Sequence, residues 1–224
     1  MNILWCITGA GHFLENCFEA ASIISLENRI AIAFSAAGYE VCRMYGFQEK
    51  IEHEFPERFL ESDEGASAPL VGRLSRKEYD RVVVAPCTAN TAAKIVHGIA
   101  DSFVTNIVAQ AGKCRVPVYI LPTDARKFQK TKTPIYVDFG KCRQCDVCNA
   151  MANCPEEAFY VSDRARIDLM KCRGCKTCVE SCLHKAIEFG KEVEIECRDL
   201  DVRNAELLAG IEGIKVIGDI RELF

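Results

Sequence analysis

Three features of this 224-residue chain predict an α/β protein, a Rossmann-like parallel sheet with a small α+β module inserted late in it. Two β-turn-α units open the chain. A run of three valines, Val82-Val83-Val84, has the unbroken apolar character of a central parallel strand buried on both faces. Finally, eight of the fourteen cysteines fall at regular spacing between Cys142 and Cys182, a density that marks a separate unit.

In chain order, residues 2–7 are a short apolar strand that ends in Thr8-Gly9-Ala10-Gly11, and residues 13–26 have a helical pattern. A glycine turn in that position lets backbone N–H groups approach a phosphate at the positive end of a helix. GxG also closes purely structural turns, and the third glycine of a dinucleotide fingerprint is missing. Residues 29–34 alternate and are rich in isoleucine, then Ser35 opens a helix that runs to residue 45. Residues 48–69 are charged and punctuated by Pro56, Gly65 and Pro69, and read as a surface helix and loop. The valine strand leads into Pro86-Cys87-Thr88-Ala89-Asn90-Thr91, a helical run over residues 92–97, and Gly98-Ile99-Ala100-Asp101. Ligands bind at the carboxyl ends of strands in open α/β sheets, which is where the Pro86–Thr91 segment falls. Thr88 or Asn90 can at the same time cap the next helix. Residues 115–121 form the next strand. Residues 123–134, with Arg126, Lys127, Lys130 and Lys132 and few apolar positions, read as a solvated linker.

Residues 85–101 resemble the P-A-S-A-N-T signature and following G-I-A-D of flavoproteins related to phosphopantothenoylcysteine decarboxylase and flavin prenyltransferase. The resemblance implies a sheet of flavodoxin-like strand order and bound FMN. It places the cofactor among Thr8, Gly9, Ala10 and Gly11, Ser35, and Pro86, Cys87, Thr88, Asn90 and Thr91. These small and hydroxyl side chains suit the assignment, because they let backbone donors come close to a phosphate or a ring edge while Asn90 both donates and accepts. No general base lies near Cys87 in sequence. His12, beside the first glycine turn, is placed to approach flavin or substrate, but the pattern favours a capping or surface role, and no catalytic residue is assigned.

The cysteines read Cys142-x2-Cys145-x2-Cys148-x5-Cys154-Pro and Cys172-x2-Cys175-x2-Cys178-x3-Cys182. Zinc sites use CxxC pairs across a spacer rather than triplets with a later fourth cysteine. A disulfide framework needs an oxidising compartment, and c-type haem needs C-x-x-C-H, which is absent. The segment resembles a bacterial-type two-cluster ferredoxin, in which the fourth cysteine of each run ligates the other cluster. The resemblance implies one [4Fe-4S] on Cys142, Cys145, Cys148 and Cys182, and a second on Cys172, Cys175, Cys178 and Cys154. Two departures are a first loop of five residues before Cys154 and Leu183 in place of a proline. Residues 135–139 read as the module's first strand, and residues 158–161 and 166–169 as its hairpin.

After Phe189, residues 192–197 are strand-like, 202–208 helical and 214–217 strand-like again. The tail reads as a return to the α/β core, giving a flavin domain over 1–134, a ferredoxin module over 135–190 and a rejoining segment over 191–224. The formal charge of −4 falls to roughly −8 once eight thiolates and two oxidised cubane cores are counted. Non-specific nucleic-acid binding is therefore not expected. With 49% hydrophobic residues the chain can bury a core. It has no basic n-region and no apolar run long enough for a bilayer, so a cytoplasmic protein without a membrane segment is expected.

Clusters move single electrons and flavin collects two, so the combination performs a two-electron reduction fed by a one-electron carrier. Nearly the whole chain resembles archaeal iron-sulfur flavoproteins of the dihydromethanopterin reductase (acceptor) type. The resemblance implies dihydromethanopterin as the small-molecule substrate and a homo-oligomer built from trimers. Lys141, Arg143, Lys171, Arg173 and Lys176 flank the cysteines, in keeping with an acidic, soluble ferredoxin-like donor. An electron-transfer module serving a partner protein is the alternative. Decarboxylation is disfavoured, because the sister family's histidine ahead of the P-A-S-A-N-T strand has no counterpart in residues 71–80.

Overall fold

The computed structural model describes residues 1–65 and 69–224. Strands β1 (Asn2–Ile7), β2 (Arg29–Phe34), β3 (Arg58–Leu60), β4 (Arg81–Cys87) and β5 (Val118–Pro122) pair in parallel. Helices α1 (Leu14–Ser25), α2 (Ala36–Met44), α3 (Gln48–Glu54), α4 (Glu61–Glu64), α5 (Pro69–Ser75), α6 (Ala89–Val96) and α7 (Phe103–Cys114) connect them. Period-two alternation decides which side each residue serves. Ile3, Trp5 and Ile7 of β1 pack with Phe18 of α1 on one face. Leu4 and Cys6 pack with Phe103 and Ile107 of α7 on the other. Val82, Val83 and Val84 are at most 1% exposed, as a strand covered on both faces requires.

The basic segment after β5 is not a loose linker. Its residues form β6 (Phe128–Lys132), which pairs antiparallel with a strand on the far side of the cysteine module. The module itself comprises β7 (Tyr136–Val137), α8 (Asn149–Ala152), β8 (Phe159–Val161), β9 (Ala165–Ile167), α9 (Thr177–Ser181) and β10 (Ile187–Glu188). β7 pairs with β10, and β8 with β9, both antiparallel. The partner of β6 is β11 (Glu192–Glu196), so a two-stranded ribbon carries the chain out to the module and back. Helix α10 (Asp199–Leu208) and strand β12 (Ile214–Val216) come next, and β12 pairs in parallel with β5.

The sheet order is therefore β3-β2-β1-β4-β5-β12. The five strands from β2 to β12 run in the flavodoxin-like order, with the short β3 added at one edge. The reading of residues 48–69 as helix and loop missed β3, whose three residues are too few for a pattern to declare itself. Residues 66–68 of that stretch lie outside the described residues. Arg115, placed in the β5 strand by sequence, instead ends α7 with a left-handed φ of 57°.

Candidate functional site

All strands of the main sheet end on one edge, and most of the candidate flavin residues meet there. Thr8, just past β1, is 1% exposed and acts as a hub. Its hydroxyl donates to the Pro86 carbonyl at 2.8 Å and accepts from the Thr88 amide at 2.8 Å, so the first turn is bonded directly to the loop after β4. A cis peptide joins Ala85 to Pro86, and the Trp5 indole donates to the Ala85 carbonyl at 2.7 Å. Ser35 lies beside them, its amide bonded to the Ile7 carbonyl at 3.0 Å and its hydroxyl accepting from Gly38 N at 3.0 Å.

Small residues are required here by space. A Cβ on Gly9 would stand 2.7 Å from that of Ala37, and one on Gly11 would stand 2.3 Å from the Tyr45 hydroxyl. Helix α1 follows Phe13, which provides no side-chain cap; the Leu14 amide bonds to the Gly11 carbonyl at 3.3 Å, and the next first-turn amides, those of Glu15 and Asn16, point toward the glycine-turn end of the helix. Thr88 caps α6, accepting from Thr91 N at 3.3 Å, so the capping and the binding readings of this residue are compatible. Asn90 is exposed on the first turn of α6.

Cys87 is different. Its side chain is fully buried on the α7 face of the sheet and burial, with Asp124 nearby, drives its thiol far above the ordinary range. What it offers the edge is its carbonyl, which accepts from Thr123 N at 2.9 Å. Burial holds His12 below its ordinary pKa, an effect that Asp124 opposes, so its imidazole stays neutral at pH 7. Sequence reasoning missed Thr123 and Asp124, which follow β5 on the same edge. Asp124 also accepts from the Cys197 thiol at 3.4 Å. Their position after a strand was the only available signal. Glu61 was missed as well: one oxygen accepts from Ala36 N at 3.0 Å and the other from Phe103 N at 2.6 Å, joining the starts of α2 and α7.

The eight clustered cysteines separate into two groups. Cys142, Cys145, Cys148 and Cys182 line an open cavity of about 280 Å³, together with Arg143, Arg164 and His184. Cys154, Cys172, Cys175 and Cys178 line a second, tighter pocket. The groups differ in exposure. Each has one exposed member, Cys145 or Cys175, but Cys172 and Cys178 of the second group are buried and Cys154 is half-buried, whereas Cys142, Cys148 and Cys182 of the first are all half-buried. Burial raises the Cys172 thiol and pushes that of Cys178 up to about 12, each also raised by neighbouring cysteines of its own group. Among the described residues, no three His, Cys, Asp or Glu side chains converge on a point where one ion would sit. Each group instead surrounds a space between its members.

Three comparisons bear on this arrangement. Residues 1–135 match the family model described as Flavoprotein. The chain is 41% identical to a Methanosarcina mazei protein named dihydromethanopterin reductase (acceptor), over 99% of this chain and 98% of the relative. It is 38% identical to a Methanocaldococcus jannaschii protein of the same name, over 97% and 92% of the two chains. Among solved structures, DmrB of Burkholderia xenovorans in complex with FMN, a cubic protein cage for redox transfer, superposes with a TM-score of 0.65. That match spans 99% of this chain and 90% of the other at 24% identity, a likeness of fold. Among the described residues, no helix is long and apolar enough to cross a membrane.

Proposed function

This chain belongs to the flavoprotein family, and from that premise we propose that it is a dihydromethanopterin reductase (acceptor) that takes electrons from a low-potential donor through two [4Fe-4S] clusters and FMN. The observation that carries the proposal is the sorting of eight cysteines into two four-residue sets around separate cavities, in the same chain as a flavoprotein sheet. The two relatives of the same name, similar over nearly the full chain, support the substrate.

Thr8 to Gly11, Ser35 and the Pro86, Cys87, Thr88, Asn90 and Thr91 loop are the residues that would hold FMN. The chain suits that role through the tight glycine turn, the uncapped start of α1 and the Thr8 hydroxyl that locks two loops into one cradle. Cys142, Cys145, Cys148 and Cys182 would hold one cluster, and Cys154, Cys172, Cys175 and Cys178 the other. Clusters supply single-electron transfer and flavin supplies paired delivery as hydride. His12, neutral and half-buried beside the glycine turn, is available to hold a proton at that edge. The ribbon of β6 and β11 supports treating residues 135–190 as an insertion between a 1–134 domain and a 191–224 segment that rejoins it.

An acidic, ferredoxin-like donor fits Arg143 and Arg164 at the open cavity. The protein is placed in the cytoplasm, where reduced carriers of that kind and thiol chemistry coexist. A homo-oligomer built from trimers completes the proposal, and exposed Ile23, Leu26 and Phe224 supply apolar surface for it. The test is direct. Protein purified without oxygen is expected to contain about eight iron and eight acid-labile sulfide per chain, with one flavin, and to reduce dihydromethanopterin when given a reduced low-potential donor. Stoichiometric zinc without sulfide, or a full complement of centres with no pterin turnover, overturns it.

A further inference from the structure

The cysteine module is an internal repeat, and its two halves act as controls for each other. Asp138 and Asp168 each accept from an amide two residues on, that of Gly140 at 2.9 Å and that of Met170 at 3.0 Å. The Cys154 and Cys182 sulfurs each accept from an alanine amide four residues on, at 3.4 Å in both cases. Gln144 and Gly174 are equivalent positions, each two residues after the first cysteine of its triplet. Both are left-handed, with φ of 53° and 63°. The first loop therefore shows that this backbone accepts a side chain.

At the second position no side chain fits, for a reason of contact. A Cβ on Gly174 would lie 2.5 Å from Gly46 N, 2.7 Å from the Met44 carbonyl oxygen and 2.9 Å from the Tyr45 carbonyl carbon. Glycine lets the Cys172–Cys175 loop press, backbone to backbone, on the turn that ends α2. That turn also carries Tyr45. Its hydroxyl donates to the Lys132 carbonyl at 2.7 Å and abuts Gly11, and its ring meets Phe189 edge-on at 6.2 Å. Lys176, from the same cysteine run, stands 4.6 Å above the Phe189 ring. Tyr45 thus meets the glycine turn after β1 with its hydroxyl and the loop holding Cys172 and Cys175 with its backbone. The other cysteine group faces outward. Exposed Val147, Val161 and Leu183 surround it, with Arg143 and Arg164 in its wall.

We infer that the two clusters work in a fixed order: the Cys154, Cys172, Cys175 and Cys178 centre is the inner one that exchanges electrons with the flavin across the Tyr45–Gly46 turn, and the Cys142, Cys145, Cys148 and Cys182 centre is the outer one that an acidic one-electron carrier reduces. This rests on the function proposed above. Each electron leaves the carrier, which is oxidised, and passes to the outer centre, the inner centre and the flavin. Two such passages and protons from solvent complete the flavin's reduction. Tyr45 is a positioning residue that holds the inner loop against the glycine turn.

The holoprotein provides the test. In Cys145→Ser, photoreduced flavin still passes electrons to the remaining centre, seen as its paramagnetic signal, while flavin reduction by a reduced ferredoxin is lost. In Cys175→Ser, ferredoxin still reduces the outer centre but the flavin stays oxidised. Exchange between flavin and outer centre in Cys175→Ser overturns the order. Gly174→Ala removes no ligand and covers the case in which a serine variant loses both centres. Its iron, sulfide and flavin contents match the parent, and its cluster-to-flavin exchange is slowed several-fold; exchange at the parent rate overturns the inference. Absence of sulfide or flavin from the parent protein would instead sink the proposed function, so the two failures are told apart.

Discussion

Thr8 shows how much one hydroxyl can organise. Buried and bonded on both sides, it ties the loop after β1 to the loop after β4. Replacing it with valine keeps the volume and the Thr8 amide bond to the Pro86 carbonyl at 3.2 Å, but leaves the Thr88 amide without its acceptor, and an unsatisfied buried polar group costs about 1–3 kcal/mol. Thr8→Val is expected to lower the stability of the flavin-free protein by about that much in denaturant unfolding and to weaken flavin retention, with Thr8→Ser close to the parent. His12 gives a pH signature. Its pKa is depressed in the folded chain, so the folded state binds fewer protons there than the unfolded state does. That contribution to stability is present above the ordinary histidine value of about 6.5 and is lost as pH falls below it. Unfolding free energies measured from pH 7.5 to 5.5 are expected to decline more steeply for the parent than for His12→Gln. Thr8 was legible in the sequence because it comes directly after a strand and opens a glycine turn. Tyr45 and Glu61 were not, because their partners are set by chain crossings far away in sequence.

At the scale of elements, apolar pattern carried the reading. β1, β2 and β4 have buried residues at nearly every position, and the helices after β1 and β2 lie within a residue or so of their expected spans. β6 was taken for a linker because its charged residues alternate on a ribbon that covers no core, held by pairing with β11 and, at its Lys132 end, by Tyr45 and Glu15. β3 is likewise short, yet it delivers Glu61 to its place. Glu61 sets one carboxylate at the starts of two helices, where a negative charge meets the positive ends of both dipoles. Loss of a helix cap costs about 0.5–2 kcal/mol. Glu61→Gln keeps one acceptor oxygen and lacks the charge, and a loss within that range, with reduced hydrogen-exchange protection at the first turns of both α2 and α7, is the expected result. Protection lost at only one of the two helices would argue against the shared role.

Across the whole molecule the two units are stabilised by different means. The main sheet buries large side chains on both faces, with Trp5, Phe18, Phe34 and Phe103 fully enclosed. The module buries only small or medium apolar residues, Ile135, Ala150, Ala158, Ala186 and Ile187, with two of its own cysteines, Cys172 and Cys178. So few apolar groups are far from what an independent unit of that length requires, and metal ligation is the means by which such small units fold. The spacing of the cysteines announced this in the sequence, since covalent intervals survive without any knowledge of packing. The docking of the module on the α2 turn did not, because Gly46 and Gly174 are distant in the chain and each reads alone as an ordinary turn. Removing the clusters by chelation under oxidising conditions should therefore separate the two units in stability. Residues 135–190 are expected to lose protection from hydrogen exchange and become open to proteolysis, while β1, β2, β4 and β5 keep theirs. The ribbon of β6 and β11 should loosen with the module, since its exposed pairs have no core beneath them. Retention of protection in β8 and β9 after complete loss of iron would show that the module's apolar contacts suffice. Protection lost in β1 as well would show that the sheet depends on the module rather than carrying it.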